Sequence, residues 1–482
     1  MFQNLLPTDR RITAPLDLEE RTRIAARSQV LGRPQSAREL QPALSAQPQW
    51  MARWADRYLV FLAVVLIGYA LGGRGFAYFG IPPLYIGEVA LVAGVGAVML
   101  ARGWTRLFQS PAILALTPFV LLGICRTLID LPDHGIDAIR DSAVYYYAAF
   151  ALIVGGMIVS EPRRLMTILQ FYRRFGLIFL VGIPIVALIY RGLHESLPRW
   201  PWSDTPIIQE KEGDVMVHLA GILAFWNAGL AGEIAWGWAT LLAINAAALG
   251  QVDRAGLLSF GTSLGAGFAY RPKGKIGWYL VGGMVAAVLV LAITNVHIEI
   301  PGGKGRELSF EQIKLNLTSI AGDSGLDGMD STKEWRMSWW KDIINDNLTG
   351  RHRWTGRGFG VNLADEYGYQ VQDDHSLRSP HNAHMTVLAR LGAPGLALWA
   401  VLQLTWIVCV ARAYWESRRA GDVRWQGVFF FLAVFWLAFL INASFDVFLE
   451  GPMGAIWFWS VFGVGGAAVW VHKRRPEVMY QN

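Results

Sequence analysis

Charge is scarce in this chain. Only 17% of its 482 residues are Asp, Glu, Lys or Arg, against about a quarter in soluble domains, so an ordinary water-soluble globule is excluded. Cysteine is nearly absent as well. Cys125 and Cys409 both lie inside apolar runs and read as small core residues, with no disulfide framework and no metal site. No internal repeat is visible, and no His-Glu-x-x-His pattern occurs. Asp323, Asp327 and Asp330 lack the spacing of a calcium loop and read as a solvated turn.

What is abundant is apolar length. Hydrophobic residues make up 53% of the chain and fall in runs of about 15 to 22, the length that crosses a hydrocarbon core. The expected fold is therefore all-α, a polytopic membrane protein of about twelve spans. These lie near 58–73, 84–101, 112–129, 143–160, 175–190, 215–231, 235–249, 255–270, 277–297, 384–411, 427–443 and 454–471. The 21 tryptophans suit two membrane interfaces, though some would equally stack on sugar rings. The organisation follows: a solvated, disordered tail over 1–52, nine spans within 53–297, a long connection over 298–383, three spans within 384–472, and a short tail over 473–482.

The net charge of +6 invites a nucleic-acid reading, but the placement of the basic residues argues against it. Sixteen Lys and Arg fall in loops after even-numbered spans or in the C-terminal tail, and six in the short opposite loops. The positive-inside rule then puts both termini in the cytoplasm and the 298–383 connection on the far side. That connection is too long for a simple link and has no low-complexity character. Ser331 and Glu334 have capping-box spacing, which predicts a helix carrying Trp335, Trp339 and Ile343 on one face.

Three places carry candidate chemistry. Arg254 stands at the outer mouth of the eighth span, where an arginine often does no more than reach phospholipid phosphates. Arg336 lies on the loop helix, where pairing with Asp330 or Asp342 is the plain alternative. His381 and Asn382 stand just before the tenth span, where a histidine is commonly a hydrogen-bonded interface residue; His384 follows without a third metal ligand. Gly356-Arg357-Gly358-Phe359-Gly360 has phosphate-cradling composition but follows no strand of a βαβ unit. Taken together, the two arginines suit a diphosphate, which a planar guanidinium grips bidentately, and the histidine suits proton removal near neutral pH.

These residues resemble the bacterial O-antigen ligase and O-antigen polymerase family. The resemblance rests on Asp253-Arg254, Arg336-Met337-Ser338-Trp339, Gly356 to Gly360, His381-Asn382 and Leu391-Gly392-Ala393-Pro394-Gly395, in that order, over about 235–445. Two positions depart from the family pattern: Arg390 stands where an acid is common, and Asp253 where a serine is common.

The resemblance implies an inner-membrane glycosyltransferase with a periplasmic site. It would move a glycan from undecaprenyl diphosphate to a hydroxyl of lipid A-core or of another glycan, with inversion. His381, Arg336 and Arg254 would be catalytic. Arg254, Arg336, Trp339, Arg357, Gly358 and Asn382 would bind the diphosphate or glycan. No metal or cofactor is expected, and the first outer loop, Gly72–Pro83, holds no carboxylate to bind one. The expected partners are the lipid-linked donor, the acceptor and membrane lipids, with no nucleic acid. A lipid-linked glycan transporter or flippase is the rival; such folds often show repeats and midplane charges.

Overall fold

The computed structural model describes residues 49–193, 195–250, 253–294 and 327–481, with 298, 299, 307–309 and 311 between them. Nearly all of the N-terminal tail and much of the first half of the long connection, including Asp323, lie outside the described residues. The helices run in chain order as α1 Gln49–Ala77, α2 Ile86–Leu100, α3 Pro111–His134, α4 Ile136–Asp141, α5 Ala143–Tyr146, α6 Ala149–Ser160, α7 Arg164–Leu193 and α8 Glu212–Asn227. They continue as α9 Trp236–Gly250, α10 Arg254–Tyr270, α11 Lys275–Thr294, α12 Asp327–Ile344, α13 Leu363–Tyr367, α14 Ala383–Ala420, α15 Val423–Ala443 and α16 Pro452–Arg474. Strand is confined to two two-stranded pairs among these residues.

The architecture is that of an all-α polytopic membrane protein. Seven helical segments among the described residues are long and apolar enough to cross a membrane: α1, α3, α5 with α6, α7, α14, α15 and α16. Two more, α2 and α9, are apolar but shorter. The remaining expected segments coincide with α8, α10 and α11.

The bundle is layered. The apolar window of α16 is 100% buried, whereas that of α3 or α7 is only 28% buried. Helix α8 is buried along nearly its whole length, so α8, α15 and α16 form the interior. The outer helices present bare apolar side chains, among them Leu121 and Leu128 on α3 and Ile185 and Leu188 on α7. A water-facing helix would not do this; a lipid-facing one loses nothing by it.

Two local features differ from the sequence expectations. Helix α12 opens at Asp327, so Ser331 is an interior position rather than its cap, and Asp327 and Asp330 are helical rather than a turn. Helix α14 is broken at Gly392, whose φ of 66° an L side chain rarely adopts. The break lets the glycine loop press against it: Arg357 N donates to Ala389 O at 2.7 Å and Gly358 N to Arg390 O at 3.1 Å.

Candidate active site

The site is assembled at one end of the bundle from four separate stretches of chain. The first is the connection before α8. Gly73 breaks α1 with φ 55°, and a Cβ there would lie 2.2 Å from Gln209 O, so only glycine permits the approach. Gln209 N and O bond back to Gly72 O and Arg74 N at 3.1 and 2.9 Å. This fixes Glu210 and Lys211 at the mouth of α8.

The second stretch is the start of α10. Gly256 faces Met216 and Gly213 of α8 with no room for a Cβ, and this close crossing brings Asp253 beside Gly213. Asp253 is the N-cap of α10, its Oδ1 accepting the Gly256 N–H at 2.7 Å. That explains an acid at this position. Arg254 is then the first residue of the helix and half-buried.

The third and fourth stretches are the connection between α15 and α16 and the segment leading into α14. Helix α12 lies over the seam between them. Arg336 Nη1 donates to Phe445 O at 3.0 Å, and one turn on, Trp340 Nε1 donates to Pro380 O at 2.8 Å. Ser379 Oγ and Thr386 Oγ1 each donate to Glu450 Oε1 at 2.7 Å. Asn382 caps α14, its Oδ1 accepting from His384 N and Met385 N. Held from both sides, His381 between them adopts φ 53°, a left-handed conformation unusual for a non-glycine residue.

These stretches meet as one cluster. Lys211 pairs with Asp446, and Asp446 Oδ1 lies 3.6 Å from His381 Nδ1. Asn442 Nδ2 donates to Asp214 Oδ1 at 3.1 Å. Burial works to raise the Asp446 carboxyl, but its contacts with His381 and Lys211 outweigh burial and hold it well below the usual carboxylate range. Lys211 is likewise held charged: burial opposes its charge, and Asp446, Asp214 and Asp253 more than compensate. At Glu210 burial, with the charge of Glu212 beside it, prevails over Arg191 and pushes the carboxyl up to about 7.

The structure thus brings Arg336 and His381 to one neighbourhood and puts Arg254 next to the capping aspartate of the same cluster. Other expected site residues have structural work. Trp339 is fully buried in a small core of its own, stacked on Tyr369 at 5.4 Å, and offers no face to a sugar. Arg357 donates to Asp346 at 2.8 Å, pairs with Glu366 and lies over the Tyr367 ring. Asn382 has its amide oxygen committed to the cap.

The glycine loop cradles carboxylates of this chain. Phe359 N donates to Asp130 Oδ2 at 2.7 Å and Gly360 N to Asp141 Oδ2 at 3.1 Å, and a Cβ on Gly358 would strike Arg126 and Asp130. Arg390, the departure from the family pattern, is buried with its Nη2 2.9 Å from Asp141 Oδ2 and its Nη1 donating to Gly358 O and Val361 O. Arg378 adds a second guanidinium to Asp141 at 3.0 Å. Burial would raise the Asp141 carboxyl, but the charges of Arg390 and Arg378 prevail and keep it below its ordinary value.

Sequence reasoning missed Lys211 and Asp446. A signal existed for both: Asp446 is the lone aspartate in a short link between two apolar helices, and Lys211 opens a helix with Asp214 one turn on. His384 accepts from Trp399 Nε1 at its Nδ1 (2.9 Å), which leaves its Nε2 to donate to Ser444 Oγ at 3.1 Å. It is an internal strut. Among the described residues no three His, Cys, Asp or Glu side chains are grouped to hold a metal ion.

Fold and site define a multi-helix membrane protein with a partly open, mixed-charge cluster at one end of its bundle. A family model described as O-antigen ligase matches residues 238–400, a stretch that includes Arg254, Arg336 and His381 and that is similar to that family. No curated protein matches the chain.

Proposed function

We propose that this protein is a glycosyltransferase of the ligase or polymerase type. It takes a glycan from undecaprenyl diphosphate and transfers it to a hydroxyl of lipid A-core or of a second glycan. The observation that carries the reading is the meeting of Arg336, His381 and the Arg254-bearing helix start at one end of the bundle, within the matched region. The acceptor oxygen attacks the anomeric carbon, the bond from that carbon to the diphosphate oxygen breaks, and lipid diphosphate leaves with the electron pair. Attack opposite the leaving group inverts the anomeric centre. Arg254 and Arg336 stabilise the charge that grows on the diphosphate. His381 takes the hydroxyl proton. No step in this scheme calls for a metal.

The charge asymmetry of the loops supports twelve crossings with cytoplasmic termini, and with them a site on the periplasmic side of the inner membrane. Reporter fusions near Gly303 and Gly325 test this; a cytoplasmic signal at either would contradict it. The function is tested by mass analysis of lipid-linked intermediates in cells lacking the protein. Accumulated full-length lipid-linked polymer identifies a ligase, and accumulated single repeat units a polymerase. Unchanged lipid-linked pools overturn the reading.

A further inference from the structure

We infer that Asp446 is a positioning residue for His381, and that Lys211 holds Asp446 in place to do it. The inference rests on the reading of His381 as the group that accepts the acceptor's proton, and it adds two residues which that reading does not use. The link between α15 and α16 carries Asp446 under the segment that enters α14, so that Oδ1 faces His381 Nδ1 at 3.6 Å. A small side-chain adjustment makes this a hydrogen bond. An ionised carboxylate there keeps the ring proton on Nδ1 and leaves Nε2 as the unprotonated nitrogen, which is what a base requires. Asp446 is 10% exposed and His381 28%, so the carboxylate side of the ring is closed while the ring itself remains within reach of a substrate.

Lys211 is on the other face of Asp446 and pairs with it directly. Asp446 Oδ1 also accepts the Val447 N–H at 2.8 Å, and the ammonium on Oδ2 fixes the other edge of the carboxylate. The other charged groups at this point are Asp214 at the start of α8, Asp253 at the cap of α10, and Arg336 on α12, bonded to the carbonyl just before Asp446. Asp214 feels both Lys211 and Asp446, so its charge responds in the variants below: it ionises more readily without Asp446 and less readily without Lys211, which damps both shifts and leaves their signs opposite.

The arrangement makes an unusual demand: the two substitutions must act on His381 in opposite directions. Asp446→Asn removes a negative charge beside the ring and so disfavours the imidazolium. Lys211→Met removes a positive charge one group further away, leaves Asp446 less neutralised, and so favours the imidazolium. The readout is ethoxycarbonylation of His381 by diethyl pyrocarbonate, followed by peptide mass spectrometry across pH on the full-length protein in detergent. This reagent attacks only the neutral ring and needs no glycan substrate. His384, enclosed by Trp399 and Ser444, is the unreactive control on the same peptide.

The expected midpoint of His381 modification falls by about one pH unit in Asp446→Asn and rises by a smaller step in Lys211→Met. Midpoints that stay with the parent in both variants, or that move the same way, overturn the inference. Should Asp446→Asn fail to fold, Lys211→Met decides alone: an upward shift supports, and no shift or a downward one overturns. In the transfer assay Asp446→Asn lowers kcat with little change in KM. A His381→Gln variant with normal turnover would defeat the base reading, and the modification midpoints separate that failure from this one.

Discussion

Two clusters of charge lie at the same end of this bundle, and they differ in how far each satisfies itself. Around Asp141, the guanidiniums of Arg390 and Arg378 and the Gly360 N–H all converge on one carboxylate; the Arg390 side chain is 2% exposed and that of Asp141 8%. Around Asp446, the Lys211 side chain is 43% exposed and that of His381 28%. Each cluster sets two basic side chains against one aspartate, so the balance of charge does not tell them apart. Closure does. A buried carboxylate gripped by several donors fixes geometry, whereas a cluster with accessible members and a strained backbone at His381 keeps capacity for a ligand. The glycine loop and Arg357 belong to the closed kind, and Arg336 to the open kind.

The comparison breaks hardest at Asp141. Asp141→Ala leaves Arg390 buried with its main countercharge gone, at a cost of about 3–5 kcal/mol of stability. Thermal unfolding of the detergent-extracted protein should show it plainly. The double variant Asp141→Leu with Arg390→Met should recover much of the loss, because an apolar pair of similar volume is often tolerated where half a pair is not. An unaltered melting curve in Asp141→Ala would mean that the closed cluster does not hold the loop.

The open cluster should answer in the opposite way. Arg336→Lys is expected to fold normally yet lose about 10²–10³-fold in transfer, since an ammonium cannot reproduce bidentate contacts to a diphosphate. Arg254→Lys should lose less, because Asp253 and the first turn of α10 shape its surroundings as well. Full activity in Arg336→Lys would return that residue to an anchoring role through Phe445 O.

A smaller effect sharpens the contrast. Glu210 is a buried acid beside the open cluster whose pKa is raised from 4.5 to about 7. An acid that binds its proton more tightly when folded loses stability as pH climbs from about 4.5 to 7, and the loss then levels off. Glu210→Gln should therefore stabilise the protein at pH 8, by up to about 3 kcal/mol at 1.4 kcal/mol per unit, and hardly at all at pH 4. An effect independent of pH would contradict this. His384→Gln, which breaks the Trp399 and Ser444 bonds, should cost about 1–2 kcal/mol and leave transfer intact.

How much of this was legible beforehand follows from the range of each interaction. Helix positions were readable because a membrane forces every backbone group into local hydrogen bonds, so apolar runs and helices coincide. The order Arg254, Arg336, His381 was readable as a motif series. The use of each residue was not. Trp339 looked like a sugar platform because its helical spacing says nothing of Tyr369, thirty residues on, which covers it. Gly358 was expected to meet diphosphate or glycan through the resemblance alone, and nothing local foretold that Asp130 and Asp141 of the other half of the chain take the N–H groups of Phe359 and Gly360 beside it. Asp446 and Lys211, more than two hundred residues apart, have meaning only once α8 and α15 are packed together. Charged contacts between distant helix ends leave no periodicity to read.

The account stands on His381 acting as the base of a transfer reaction, and one assay addresses it most directly. Purified protein in lipid nanodiscs is given a lipid-diphosphate-linked glycan and its acceptor, and single-turnover transfer is followed for the parent and for His381→Gln. The glutamine can hold a hydroxyl but cannot take its proton. The account requires a fall of about 10²–10⁴-fold with donor binding unchanged. Near-normal turnover in His381→Gln would contradict it and leave His381 as a residue that only holds the acceptor.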